Sequence, residues 1–129
     1  MKKKFLALTA FTLIAIVSGA EGISWEYFMQ NSRGDNYYVD FDTIQHSSSD
    51  TFRISKKVVP EQPANYSSLV SSIELDCKEK GIRVLQETVT YNSGDIETFD
   101  RNEKWHSVHT EDEDDLLLEF ICSLKKVRN

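Results

Sequence analysis

Apolar and polar residues alternate along much of the chain between residues 23 and 101, with the two-residue period of strands that bury one face. In the clearest stretch, Ser71, Ile73, Leu75 and Cys77 share one face and the residues between them are polar. Comparable patterns predict strands near 23–30, 37–42, 52–58, 82–91 and 96–101, separated by turn-forming segments. The alternation therefore predicts six short strands.

The end of the chain has the period of an amphipathic helix instead. Leu117, Phe120, Ile121 and Leu124 fall at i, i+3, i+4 and i+7, the spacing of a buried stripe. Thr110 followed by Glu113 fits a capping box at the start of that helix. Strands followed by one helix favour an α+β fold, here an antiparallel six-stranded sheet covered by a C-terminal helix.

The first predicted hairpin holds the candidate contact residues. Alternation places Trp25, Tyr27 and Tyr37 in the core and Tyr38 on the opposite face, where it is the best aromatic candidate for a surface contact. The turn between the two strands contains Arg33-Gly34-Asp35, a tripeptide that some integrins read in extracellular ligands. Glycine and aspartate are also ordinary turn residues, and because a three-residue match is a weak signal we favour a turn-forming role over receptor recognition.

The first 20 residues have the three parts of a cleavable secretory signal peptide. Lys2, Lys3 and Lys4 form a positive start, residues 5–17 are uncharged and mostly apolar, and Ser18-Gly19-Ala20 supplies small residues at the cleavage site. The apolar run is shorter than the roughly 18–20 residues that a membrane-spanning helix needs. We therefore predict a signal peptide at 1–20, one domain at 21–129 and no transmembrane segment in the mature form.

Charge narrows the classes of partner. The chain has a formal net charge of −6, and loss of the three signal-peptide lysines makes it −9. An acidic domain is poorly suited to nucleic acid, which proteins bind by neutralising phosphates, so we expect no nucleic-acid partner. A protein partner, preferably basic, suits this charge better, and the sequence leaves monomer and homodimer open.

Two cysteines are present, Cys77 and Cys122, and both lie in the part expected to be exported. Disulfides persist in oxidising compartments, so we expect these two residues to be bridged and to link helix to sheet. Two free thiols, or half of a metal site, are the alternative. No paired Cys or His spacing supports a metal, and we expect neither a metal nor a cofactor.

No motif of an active site accompanies this pattern. The chain has no GxSxG, HExxH or nucleotide-binding glycine loop, and His106 and His109 follow no ligand or triad spacing, so we expect no catalytic residues and no enzyme activity. The acidic run at 111–115 is a possible cation or partner site, but negative charge at a helix start is also favoured by the helix dipole. We favour that structural role.

Several short motifs together resemble the surface-adhesin protein E family. They are an early strand with Trp25, then Tyr38-Val39-Asp40 followed by Thr43-Ile44, Glu74-Leu75-Asp76-Cys77, Tyr91 before a glycine turn, Trp105 with Val108, and a closing helix with Cys122. The resemblance implies the same sheet, helix and bridge. It also implies a bacterial surface protein that binds host extracellular-matrix and serum proteins.

One departure from the family concerns location. The family's namesake is lipid-anchored, whereas Ala20-Glu21 stands here where a lipidated cysteine would be needed. We therefore expect an exported bacterial protein that is periplasmic or secreted. The alternative function is that of a periplasmic inhibitor or accessory protein acting on a basic cell-wall hydrolase, because the charge of the domain suits such a partner as well.

Overall fold

The computed structural model describes residues 24–61, 63–108 and 112–128, which form seven strands and one helix. The elements in chain order are β1 (Glu26–Gln30), β2 (Asn36–His46), β3 (Thr51–Val59), β4 (Tyr66–Asp76), β5 (Gly81–Tyr91), β6 (Ile96–Asp100), β7 (His106–Ser107) and α1 (Glu113–Arg128). The predicted signal peptide at 1–20 lies outside the described residues.

The strands form one antiparallel sheet in the spatial order β1-β2-β3-β4-β5-β6. Each of these strands pairs with its neighbour in sequence, and short turns make such pairing easy. The two-residue strand β7 is an addition to the prediction, and it pairs with β5 through Gly81↔Ser107 and Ile82↔His106. The predicted arrangement of an antiparallel sheet with one C-terminal helix is confirmed, and sheet predominates in it.

The core lies between one face of the sheet and α1. The sheet contributes six buried apolar residues from its three central pairings, and the helix contributes three. They are Val39, Phe52, Ile54, Ile73, Leu75 and Ile82 from the strands with Leu117, Leu118 and Ile121 from the helix. We call the side of the sheet that packs on α1 the inner face and the opposite side the outer face.

The helix is rotated slightly from its predicted orientation. Leu117 and Ile121 are buried as expected, but Leu118 is buried too and Phe120 is 42% exposed. Leu118 lies one turn before Cys122, which is bonded to the sheet, so this side of α1 is the one turned inward.

The helix begins at Glu113 and is capped by Asp112. The Asp112 side chain accepts a 2.9 Å hydrogen bond from the backbone N–H of Asp115. The predicted cap, Thr110, lies outside the described residues.

The disulfide predicted from the cysteine count is present. Cys77 immediately follows β4 and is bonded to Cys122 of α1, with 5.7 Å between the two Cα atoms. The backbone N–H of Cys77 also donates a 2.8 Å hydrogen bond to the carbonyl oxygen of Asp50, before β3. The bridge therefore joins the helix to the middle of the sheet beside the apolar core.

The prediction that Trp25 and Tyr27 belong to the core is wrong. Tyr27 is paired with Tyr38 and Met29 with Tyr37, so Phe28 is an extra residue on β1, which is a β-bulge. A bulge breaks the two-residue alternation, and it is Phe28 that packs against the core while Tyr27 is 59% exposed. The first hairpin therefore presents its leading aromatic residues on the outer face.

Candidate protein-binding face

The outer face of the sheet is the surface on which these aromatic residues lie. Within the described ranges, α1 packs on the inner face and no second element covers the outer one. An antiparallel sheet tolerates one solvated face, which normally carries polar side chains. Large aromatic residues on that face are therefore candidates for contact with another molecule.

Trp25, Tyr27, Tyr38 and Lys57 form a group on the outer face that we call the aromatic cluster. The rings of Tyr27 and Tyr38 meet edge to face, with 5.8 Å between their centroids. The Nζ atom of Lys57 lies 5.7 Å from the Trp25 ring centroid and 5.8 Å from that of Tyr38. Cation–π and edge-to-face contacts restrict the conformations of these side chains. The cluster therefore offers apolar area and polar atoms at a small further cost in side-chain entropy on binding.

The register of the sheet produces this cluster. Tyr38 is paired with Tyr27 on one side and with Lys57 on the other, so the three side chains stand in a row across β1, β2 and β3. Cross-strand neighbours of this kind are close enough for ring and cation contacts. The sequence correctly placed Tyr38 opposite the core, but it missed Tyr27 and Trp25 because the bulge at Phe28 is invisible to simple alternation.

The Arg33-Gly34-Asp35 tripeptide forms the turn between β1 and β2. Arg33 is exposed over 73% of its side chain, whereas Asp35 is exposed over 16%. The side-chain oxygen of Asn31 accepts 2.9 Å hydrogen bonds from the backbone N–H groups of Arg33 and Asp35, which organises the turn. Gly34 has φ of +91°, a conformation that favours glycine.

The carboxylate of Asp35 is occupied within the turn. It accepts hydrogen bonds from the backbone N–H of Glu61 at 2.9 Å and from Asn31 Nδ2 at 3.2 Å. The bond from Glu61, followed by that from Asn31, holds the pKa of Asp35 below its ordinary value. Arg33 is thus the most available side chain of the tripeptide, and its role in binding stays a prediction.

A buried carboxylate lies at the centre of the outer face. Glu74 is only 5% exposed, and it lies between Arg53 and Arg83 of the two neighbouring strands, at 3.3 and 2.6 Å. Burial raises the pKa of Glu74, but hydrogen bonds from Arg83, Ser47 and Arg53 outweigh that effect and leave it lowered. The predicted strand pattern put Glu74 on a polar face without indicating that it would be buried there.

Trp105 extends the outer face beyond the arginines. The guanidinium carbon of Arg83 lies 4.6 Å from the centroid of the Trp105 ring. Beside it is a shallow cavity of about 320 Å³ lined by Asp76, Glu79, Gly81, Trp105, His106 and Ser107.

The structure describes one of the two candidate histidines. Nε2 of His106 lies 3.5 Å from the Glu103 carboxylate, and the other candidate histidine, His109, is outside the described residues. No group of three or more His, Cys, Asp or Glu that could hold a metal occurs among the described residues.

Glu113 and Asp114 of the acidic run hold the start of α1 against the sheet, and Glu111 lies outside the described residues. Glu113 accepts hydrogen bonds from Tyr37 at 2.9 Å and from Asn31 at 3.1 Å, and Asp114 forms a 2.8 Å ion pair with Lys56. Asp112 is the cap described above. The sequence assigned these charges to the helix dipole, and the contacts of Glu113 and Asp114 with the sheet side of the molecule are a further structural role that it did not indicate.

These features define a class of protein: a small disulfide-linked antiparallel sheet with one helix on its inner face and aromatic residues on its uncovered outer face. Within that class the chain belongs to the Surface-adhesin protein E family, whose family model matches residues 25–123. The predicted resemblance is thereby confirmed. Membership in a surface-adhesin family indicates an exported, non-enzymatic surface protein that binds other proteins.

No curated protein and no solved structure matches the chain significantly. Within the described ranges no helix has both the length and the apolar character needed to cross a membrane.

Proposed function

We propose that this chain is an exported bacterial binding protein that adheres to host extracellular-matrix or serum proteins through the outer face of its sheet. Family membership over residues 25–123 is the observation that carries the adhesin assignment. The aromatic cluster supports the choice of face, because partly exposed tyrosine and tryptophan side chains held by neighbours are the kind of residue that dominates protein interfaces.

Export through a signal peptide at 1–20 is part of this proposal. The lysine-rich start, the apolar run and the small residues at 18–20 support it. Mass measurement of the protein recovered outside the cytoplasm should show a chain that begins at Glu21. A protein that retains residues 1–20 would contradict cleavage, and fractionation of the cells would separate periplasmic from released protein.

The binding face is tested with the exported protein and a panel of immobilised matrix and serum proteins at physiological salt. Binding should be saturable for at least one of them, and Tyr27→Ala should weaken that binding about 10-fold or more, because the proposal places Tyr27 at the centre of the contact. Ile96→Ala is the matched control, since Ile96 is 67% exposed but lies on the edge strand at the other end of the sheet.

Two outcomes would overturn the proposal. If no protein of the panel is bound saturably, the adhesin function is rejected. Saturable binding that Tyr27→Ala and Ile96→Ala weaken equally would retain adhesion but reject the aromatic cluster as the contact. Arg33→Ala in the same assay tests the turn, and unchanged binding would exclude Arg33 from the contact.

A further inference from the structure

A groove opens on the inner side of the molecule, where the second half of α1 meets the bulged end of β2. The cavity is about 340 Å³, at the lower end of the size range of ligand pockets. Its walls are mainly apolar and come from Phe41, Ile44, Phe52, Phe120 and Leu124. We call this cavity the helix groove.

Sheet irregularity keeps the helix groove open. Pairing between β2 and β3 is interrupted between Asp40 and Gln45, so residues 41–44 leave the regular ladder. Phe120 is 42% exposed, and its ring centroid lies 5.3 Å from that of Phe41 and 6.1 Å from that of Phe28. These contacts hold an aromatic wall in place before any ligand arrives.

Two carboxylates lie on the rim of the groove. Glu26 and Asp42 line the same cavity, and both residues are exposed. Neither carboxylate forms an ion pair with another residue in the described part of the chain. An apolar cavity with unneutralised negative charge at its entrance favours a ligand that has an apolar group beside a positive charge, and it disfavours an anionic ligand.

We infer that the helix groove binds a basic, apolar segment of a partner protein, with one large apolar side chain in the cavity and a neighbouring lysine or arginine at Glu26 and Asp42. This site goes beyond the proposed adhesin face, because it lies on the opposite side of the sheet. The two differ in charge as well: Lys57, Arg53 and Arg83 lie on the outer face, whereas free carboxylates border the groove.

The test uses the exported protein and three short peptides: Lys-Leu-Phe-Lys, Gln-Leu-Phe-Gln, which replaces only the charged ends, and Lys-Ser-Ser-Lys, which replaces only the apolar centre. Binding is measured by titration with NMR detection. The first peptide should bind saturably and shift the signals of Phe41, Ile44 and Phe120. Gln-Leu-Phe-Gln, which loses the two ion pairs, should bind about 2- to 30-fold more weakly, and Lys-Ser-Ser-Lys, which loses the apolar contact, at least about 10-fold more weakly. The affinity of Lys-Leu-Phe-Lys should fall as the salt concentration is raised, since the carboxylates at the rim of the groove are exposed.

Variants of both parts of the site complete the test. Glu26→Gln with Asp42→Asn should weaken binding about 2- to 30-fold, the range for two exposed ion pairs. The control is Asp95→Asn with Glu97→Gln, which makes the same charge change at the opposite end of the sheet. Phe120→Ser should also weaken binding, whereas Leu116→Ser, at a helix position of similar exposure outside the cavity, should not.

Three results would overturn the inference. The first is that Lys-Leu-Phe-Lys does not bind at all. The second is that Lys-Ser-Ser-Lys binds equally well, or that the control charge variant weakens binding as much as the rim variant, because the attraction would then be nonspecific. The third is saturable binding with shifts confined to the outer face, which would place the ligand elsewhere.

Discussion

The hydroxyl of Tyr37 donates a 2.9 Å hydrogen bond to a carboxylate oxygen of Glu113, and this bond joins the second strand to the first turn of the helix. The same oxygen accepts a 3.1 Å bond from Asn31, in the turn that precedes β2. Glu113 therefore ties the start of α1 to two parts of the first hairpin. That hairpin also holds Tyr27, Tyr38 and the Arg33 turn, so this contact links the start of α1 to the element that carries them.

Removal of the Tyr37 hydroxyl should therefore destabilise the protein. Tyr37→Phe keeps the ring and deletes one hydrogen bond to a charged group, which should lower the free energy of unfolding by about 1–2 kcal/mol at pH 7. Urea denaturation of wild type and variant measures this difference in the free energy of unfolding. Tyr38→Phe is the matched control, because the Tyr38 ring lies on the outer face, away from Glu113. Equal losses in the two variants would contradict a stabilising role for the Tyr37–Glu113 bond.

The contribution of Glu113 should depend on pH. Burial raises the pKa of this carboxyl, but its own backbone N–H, Asn31 and Tyr37 stabilise the charged form more strongly, so the pKa is below its ordinary value of 4.5. A lowered pKa in the folded state means that the added stability is present above pH 4.5 and is lost as the pH falls through the folded-state pKa. Glu113→Gln should therefore cost about 1–2 kcal/mol at pH 7 and progressively less below pH 4.5.

Urea unfolding of wild type and of Glu113→Gln across about pH 3–7 measures how the contribution of Glu113 to stability depends on pH. Glu119→Gln is the control, because Glu119 is an exposed residue of the same helix. A difference between wild type and Glu113→Gln that stays constant over the whole range would show that ionisation of Glu113 does not contribute.

The disulfide should supply a large part of the stability. Cys77 and Cys122 are 45 residues apart, and closing a loop of that length stabilises a fold by about 4 kcal/mol in the chain-entropy model. Cys77→Ser with Cys122→Ser should lower the free energy of unfolding, measured by urea denaturation, by about 4 kcal/mol. Mass analysis after alkylation of the native protein should find no free thiol, and two alkylated cysteines would contradict the bridge in the exported protein.

The sequence predicts the sheet well because most of its strands follow strict alternation. Ser71, Ile73 and Leu75 are buried on the inner face as the pattern requires. Cys77 lies on the same face and forms the disulfide. The first strand differs because a single extra residue, Phe28, reverses the faces on either side of it. Nothing in one strand's own pattern reports a bulge, since a bulge is a property of the pairing.

The candidate surfaces were harder to predict because they depend on contacts between distant residues. Tyr38 could be placed opposite the core from alternation, but its contact with Lys57 depends on the register of β2 with β3. The helix groove had no sequence signal. It depends on an interruption of strand pairing near Phe41 and on a small rotation of α1 that leaves Phe120 half outside the core.

Substitutions in α1 should report its rotation directly. Ile121 is 1% exposed and lies among core residues, so Ile121→Ala should cost about 2–5 kcal/mol through lost burial and the cavity left behind. Leu116 is 44% exposed on the same helix, and Leu116→Ala should cost well under 1 kcal/mol, as surface changes generally do within about ±0.5 kcal/mol. Thermal unfolding of the two variants compares them, and a reversed order would mean that α1 presents a different side to the sheet.

Glu74 should matter more than other carboxylates of the sheet because it is buried and has two cationic partners. Glu74→Gln keeps the shape of the side chain but removes the charge that faces Arg53 and Arg83, at 3.3 and 2.6 Å. The side chains of Arg53 and Arg83 are 48% and 35% exposed, so water compensates part of the loss, and we expect a decrease of about 1–3 kcal/mol in the free energy of unfolding. Burial of Glu74 itself makes the remaining loss larger than that of a surface pair.

The matched comparison for Glu74 is Glu87→Gln in the next strand. Glu87 has one partner, Arg101, at 2.7 Å, and its side chain is 20% exposed, so this change should cost about 0–1 kcal/mol. Urea denaturation at low and at high salt separates the two cases, because salt screens the exposed pair more than the buried one. If both variants lose the same stability and respond equally to salt, the arginines do not hold Glu74 as an ion-pair centre. A larger, salt-resistant loss at Glu74 would show that the charged row of Arg53, Glu74 and Arg83 joins β3, β4 and β5 across the outer face.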